Sequence, residues 1–424
     1  MRLESQQRSD FHKFWAGQTV SVFGSMVGRF AMPLVAIYVL GADARAMGLL
    51  NAAEMAPGVA ISLFAGLLAD RVRRRPTMIA VDLARAVLLA TIPLAVLAHR
   101  LSMGHLYVVA LAVSALTVLF DVAYQSYVPS LVPAGDLVDA NSKLQATASL
   151  AEVTGFGLAG VLVQVLTAPL AVLVDALSFV VSAVSLLFIR TPERTPAAAA
   201  ATEAAASEVA SESPAGAWAD IRAGLHSLWA NPVLRTLITA GGLLELFSGA
   251  FGALIMLFVS RDLGLRPALM GVLFSVGGAS SLLGALLAQP VVRRFGLGRT
   301  LVAMAAVWTV AALAVPLAHG PLIMVSAFLV TQQLLGDGCL TIYLITATSL
   351  RQAEAKPAFL GRVNAGFNFV QGGSTLLGAV AGGLLGSAIG LRPTLFLAAG
   401  GFVLVALRLY LSPVARGAST LERS

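Results

Sequence analysis

A chain of 424 residues that is 58% hydrophobic and only 12% charged cannot be a soluble globular protein, in which about 25% of residues are charged. Its formal net charge of +7 lies mostly in loops and at the ends of apolar runs. It therefore offers no basic face for nucleic acid, and basic loops against anionic lipid account for the balance. One cysteine, Cys339, excludes an intramolecular disulfide framework; inside an apolar run it is expected to be a buried structural thiol.

In chain order, residues 1–11 are polar and of mixed charge. They lack the basic start and short apolar core of a cleavable signal, so the first span is expected to stay in the mature protein. Apolar runs of roughly 20 residues, enough to cross ~30 Å of hydrocarbon, fall at 13–40, 46–69, 77–98, 105–128, 142–166, 169–190, 233–259, 267–291, 299–318, 321–347, 360–388 and 391–411. The runs do not alternate, which excludes a β-barrel, and backbone groups in lipid must pair internally, which makes them helices. The expected fold class is an all-α integral membrane protein with about twelve transmembrane helices.

A shift of 223 positions, the difference between Met270 and Met47, lays Met47-Gly48 on Met270-Gly271, Asn141 on Asn364, Gly155 on Gly378 and Gly160 on Gly383. This predicts two six-helix halves, 1–190 and 233–424, related by an axis along the membrane normal. Between them, 191–216 is rich in Ala, Ser, Glu and Pro and reads as a flexible linker. Trp218, Ile221, Leu225, Leu228 and Trp229 then follow helical spacing, as in an amphipathic helix in the membrane interface. The segment 191–232 is the expected linker region.

The basic clusters Arg71 to Arg75, Arg190 with Arg194, Arg293 to Arg299 and Arg351 to Arg362 fall on one side of this topology. The positive-inside rule makes that side, and with it both termini, cytoplasmic. The tightest cluster is the hairpin Gly66-Leu-Leu-Ala-Asp70-Arg71-Val-Arg73-Arg74-Arg75 between the second and third runs. Gly66 permits close helix approach, and Asp70 is placed to meet the N-terminus of another helix.

This hairpin resembles the motif Gly-x-x-x-Asp-Arg-x-Gly-Arg-Arg of the major facilitator superfamily, with Arg73 where the family has Gly. The stretch Asp121 to Pro133, then Leu137-x-x-Ala140-Asn141, Gly155-x-Gly157-x-x-Gly160 and Asp175-Ala-Leu-Ser178-Phe179, resembles its branch of enterobactin exporters and macrolide efflux proteins. Phe14-Trp15-x-Gly17-Gln18 and Gly361-Arg362-Val363 fit the same branch. The resemblance implies the major facilitator fold, a bacterial inner membrane, and proton-driven export of a small amphiphilic or lipophilic molecule by a monomer. Phe156 departs from the Gly-Pro pair of the family's antiporters, and so keeps open an importer, a uniporter or a lipid transporter. A receptor or scaffold working through the linker is the reading from another class.

Ionisable residues inside spans are costly and are functional candidates. Arg29 and Glu54 reach roughly 22–24 Å from the cytoplasmic ends at 1.5 Å per residue and could pair. Glu152 and Glu245 lie near mid-span, where substrate and coupling-ion sites are built, and Asp337 with Gln332, Asn364, Asn368 and Gln371 could add polar contacts. Asp82 and Arg85, three apart on one face, and Asp121 lie in the cytoplasmic third. Gly66, Asp70, Arg71, Arg74 and Asp121 are the expected cytoplasmic gate. There is no phosphate-binding loop for ATP, no metal-ligand spacing and no hydrolase motif. The expected ligands are a small molecule, protons and membrane lipid, with no cofactor or metal.

Overall fold

The computed structural model describes residues 2–62, 73–191, 231–355 and 360–416, together with Trp229. The linker, most of the amphipathic segment and most of the basic hairpin lie outside the described residues. The described residues form twelve long helices and no strand: α1 (Arg2–Tyr38), α2 (Ala44–Ser62), α3 (Arg74–Leu97), α4 (Met103–Leu131), α5 (Leu137–Leu166), α6 (Ala168–Leu187), α7 (Pro232–Asp262), α8 (Pro267–Phe295), α9 (Leu297–Leu317), α10 (Leu322–Glu354), α11 (Leu360–Ile389) and α12 (Leu391–Tyr410). Eleven of them, all but α2, are long and apolar enough to cross a membrane.

Several helices outrun the apolar stretches that predicted them. Hydropathy finds the part of a helix that lies in lipid, whereas the helix itself continues while its polar turns are satisfied. α1 starts at Arg2 rather than 13, and its extra turns are pinned by Asp10. That fully buried carboxylate accepts hydrogen bonds from the Arg190 and Thr191 amides, the Thr191 hydroxyl and Lys13 Nζ, at 2.9, 2.8, 2.8 and 2.7 Å. α10 continues to Glu354 and contains a π-helical stretch at Gln332–Asp337. Helix starts follow capping chemistry: Ser102 accepts from the His105 amide at 3.2 Å, and Asn231, followed by Pro232, accepts from the Val233 amide at 2.8 Å.

The chain divides into two compact units, one of Met1–Leu40 and Ala56–Glu212, the other of Gly41–Met55 and Ser213–Ser424. In the first unit α1 packs most extensively on α6. Gly17, Ser21, Gly24 and Gly28 form a stripe at alternating spacings of four and three, and Asp175, Ser178, Ser182 and Ser185 form its partner. A Cβ on Gly17 would collide with Ser185, on Gly24 with Ser178, and on Gly28 with Asp175. Small residues here bring two backbones together. A core of Phe11, Phe14, Met78, Phe120, Tyr127, Leu131 and Leu186 closes one end of the unit.

In the second unit α7 packs most extensively on α11 instead. A Cβ on Gly249 would strike the Thr375 carbonyl, and one on Gly378 the Leu246 carbonyl. The shift of 223 positions nevertheless pairs two turns of the same backbone conformation. Thr167, between α5 and α6, has φ 85° and ψ 157°; its counterpart Gly390, between α11 and α12, has φ 93° and ψ 162°. Only glycine adopts that conformation readily, so the first unit holds a β-branched residue in a turn built for glycine.

Candidate functional site

Gly66, Asp70 and Arg71 of the expected gate lie outside the described residues. Arg74 opens α3 and is half-buried. The next residue, Arg75, donates Nε to the Leu186 carbonyl at 2.9 Å and Nη2 to the Leu187 carbonyl at 3.0 Å. It satisfies the end of α6, where carbonyls lack helical partners, and gives the basic hairpin a structural task that its charge alone did not disclose. Asp121 is exposed on α4, within electrostatic reach of Arg85.

The expected deep charges are divided between the two units. Arg29 is exposed on α1 and belongs to the first unit; Glu54 is half-buried on α2 and belongs to the second. Glu152 is exposed on α5 in the first unit, whereas Glu245 is half-buried on α7 in the second. Glu245 accepts a hydrogen bond from Thr375 Oγ1 of α11 at 3.0 Å. Asp337 is half-buried at the end of the π-helical stretch of α10, where a Cβ on Gly277 of α8 would collide with its carboxylate. Gln332 and Gln333 of the same stretch are buried. Such π-turns inside α-helices are frequent at functional sites, and this one carries three polar side chains within a span. Asn364 carries a buried Oδ1 without a hydrogen-bond partner. Cys339, expected to be buried, is only half-buried.

The densest charge in the interior lies in the first unit and centres on Arg85 of α3. Its guanidinium is sandwiched between the Phe120 ring of α4, at 4.5 Å, and the Phe179 ring of α6, at 4.1 Å. Nη2 pairs with Asp82 Oδ1, and Nη1 donates to Thr117 Oγ1 at 3.3 Å. Asp82 is fully buried and lies beside Ser182, which receives a 3.0 Å hydrogen bond from Gln18. Asp175, 5% exposed, also acts on Arg85 and faces the hydroxyls of Ser25 and Ser178 at 3.5 and 3.4 Å. Two buried atoms of this cluster, Asp82 Oδ2 and Arg85 Nε, have no hydrogen-bond partner. The sequence singled out Asp82, Arg85 and Asp121 as neighbours by spacing and depth. It did not reveal that Asp175 joins them, because that meeting depends on which face of α6 turns toward α1.

The second unit has the same niche with different contents. Shifted by 223 positions, Asp82 becomes Ala305, Arg85 becomes Trp308, Thr117 becomes Leu340, Phe120 becomes Tyr343, Phe179 becomes Phe402 and Ser182 becomes Val405. These six residues, with Leu244, line one void of about 10 Å³, space for one water at most. Trp308 packs edge-on against Phe402 at 5.6 Å. Asp82, Arg85, Thr117 and Ser182, the charged and hydroxyl-bearing residues among the six, thus have apolar or aromatic counterparts in the second niche.

A family model described as Major Facilitator Superfamily matches residues 14–351. No curated protein matches the chain. Among solved structures, the fold is similar to a bacterial homologue of the iron transporter ferroportin in its inward-facing state, at 16% identity and a TM-score of 0.74, covering 95% of this chain and 98% of that one. It is similar to a single-residue mutant of the nucleoside transporter NupG, at 14% identity and a TM-score of 0.73, covering 96% and 98%. It is also similar to a bacterial metal transporter, at 20% identity and a TM-score of 0.67, covering 96% and 98%.

Proposed function

The chain belongs to the major facilitator superfamily, and from that premise we propose that this multi-pass membrane transporter exports a small amphiphilic or lipophilic molecule in exchange for protons. The observation that carries the reading is Glu245, a carboxylate near the middle of α7, half-buried and hydrogen-bonded to Thr375. An acid at that depth is costly and serves ion or substrate pathways in such folds. Glu152, at similar depth on α5, and Asp337 are the further candidates. The exporter branch and a bacterial inner membrane rest on the motifs quoted above, the two six-helix halves on the shift of 223 positions, and cytoplasmic termini on the basic clusters. Alternating access would open the substrate site to each side in turn, with the hairpin at Gly66, Asp70, Arg71 and Arg74 latching the cytoplasmic side.

One observation favours transport without antiport. Phe156 stands where the family's antiporters have proline, and its ring packs edge-on against Phe30 at 6.3 Å, which stiffens α1 against α5 where a proline would bend the helix. The test is ethidium accumulation in acid-inside proteoliposomes. The antiport reading expects accumulation in the parent and its loss in Glu245→Gln or Glu152→Gln with normal membrane insertion. Gradient-independent accumulation in the parent would favour the uniporter, and unchanged accumulation in both variants would make these acids structural.

A further inference from the structure

The fold does not need charge in the niche around Arg85. Its second unit fills the equivalent space with Ala305, Trp308, Leu340 and Val405. A buried ion pair is often no more stable than well-packed apolar residues of similar volume, so packing alone gives no reason for the charges in the first unit. The cluster is also unbalanced. One guanidinium, Arg85, pairs with Asp82 and lies within electrostatic reach of the carboxyls of Asp175 and Asp121, and two of its buried polar atoms, Asp82 Oδ2 and Arg85 Nε, are left without hydrogen-bond partners. Partnerless buried polar atoms call for an explanation. A group that exchanges partners leaves such atoms idle in each of its states.

We propose that Asp82, Arg85 and Asp175 form a proton-binding site inside the first unit, with the exposed Asp121 as its outward member. In the loaded state a proton sits on Asp175, held near the hydroxyls of Ser25 and Ser178, and Arg85 serves Asp82 alone. In the unloaded state that proton has passed to water by way of Asp121, and Arg85 is divided between Asp82 and Asp175. The two rings of Phe120 and Phe179 hold the guanidinium plane, so that it can turn between carboxylates without leaving its place. The groups facing the site are Asp82 and Arg85 from α3, Asp121 with Tyr124 from α4, and Asp175 from α6. From α1 it meets Ser25 and the bare backbone of Gly28. For its use in transport the site rests on the antiport reading above; as a site it does not.

Infrared difference spectra of the full chain in lipid bilayers, taken between acid and neutral buffer, test it without any transported substrate. A protonated-carboxyl band should appear with acid and vanish in Asp175→Asn. Asp82→Asn should change its proton affinity about tenfold or more, because the two carboxyls titrate as a pair. The Ser25→Ala/Ser178→Ala double variant, which keeps every charge, should displace the band and so covers the case in which Asp175→Asn does not fold. A band indifferent to all these variants overturns the proposal. So does a band removed by sodium at constant pH, which would make the cluster a metal-cation site. Loss of the band in Asp175→Asn with no ethidium response to a pH gradient in the parent would uphold the site and reject antiport.

Discussion

The niche between the third, fourth and sixth helices of the first unit and its counterpart in the second have one shape and opposite chemistry. Arg85 lies between Phe120 and Phe179, whereas Trp308 occupies the same place beside Tyr343 and Phe402. Asp82, Thr117 and Ser182 are replaced by Ala305, Leu340 and Val405. The same exchange of bulk runs along the neighbouring helix pairs. Gly24 receives Ser178 in the first unit, while Phe247 fills the space over Gly401 in the second. The lesson is that the shared fold specifies volumes and aromatic walls, and leaves polarity free. Polarity retained in one copy and dropped in the other is then to be explained by use rather than by folding.

The comparison is most sharply broken by moving charge without its partner. Arg85→Ala strands the fully buried Asp82 and should cost about 3–5 kcal/mol. Trp308→Arg, which puts an unpaired guanidinium into the apolar niche, should cost as much, and Ala305→Asp should restore part of it. Thermal unfolding in detergent reads all three. A loss under about 1 kcal/mol, the scale of a surface pair, would show that Arg85 is solvated and the niches are not equivalent. Next in size is the packing exchange. Gly24→Phe should destabilise by about 1–3 kcal/mol through overpacking, and Ser178→Gly in the same chain should recover most of it by recreating the Phe247–Gly401 arrangement. No recovery would mean that the two seams differ in backbone separation. The smallest effect concerns the turns. Thr167→Gly should stabilise by about 1 kcal/mol and Gly390→Thr should destabilise by about 1–3 kcal/mol, since this backbone region is strained for any residue with a Cβ. Equal melting for Thr167→Gly and the parent would show that the turn relaxes around Thr167.

Much of the fold was legible because membrane spans announce themselves. Apolar runs place helices, and the shift that aligned Met47-Gly48 with Met270-Gly271 also relates Thr167 to Gly390 and Arg85 to Trp308. The candidate site was legible only in part. Spacing on one helix put Asp82 beside Arg85, but joining Asp175 to them requires the rotation of α6 about its own axis, which is set by the Gly17, Gly24 and Gly28 contacts with Ser185, Ser178 and Asp175. Depth along a span likewise grouped Glu152 with Glu245, although one is exposed and the other half-buried. Depth is read from residue counts, and facing is read from packing. The π-helical stretch at Gln332–Asp337 had no sequence signal beyond its polar residues, because one extra residue in a turn leaves the hydropathy of the run unchanged.

The most direct test rebuilds the first niche on the plan of the second, with Asp82→Ala, Arg85→Trp, Thr117→Leu, Asp175→Ala and Ser182→Val in one chain, since Asp175 has Ala398 as its counterpart. It is read by thermal unfolding and by ethidium accumulation in acid-inside proteoliposomes. The account predicts a protein at least as stable as the parent, since the fold already packs these side chains once. It also predicts that accumulation no longer responds to the pH gradient, while the parent's does. A rebuilt protein that accumulates ethidium in step with the gradient as the parent does would contradict the account, and would reduce the buried charges of the first unit to structure.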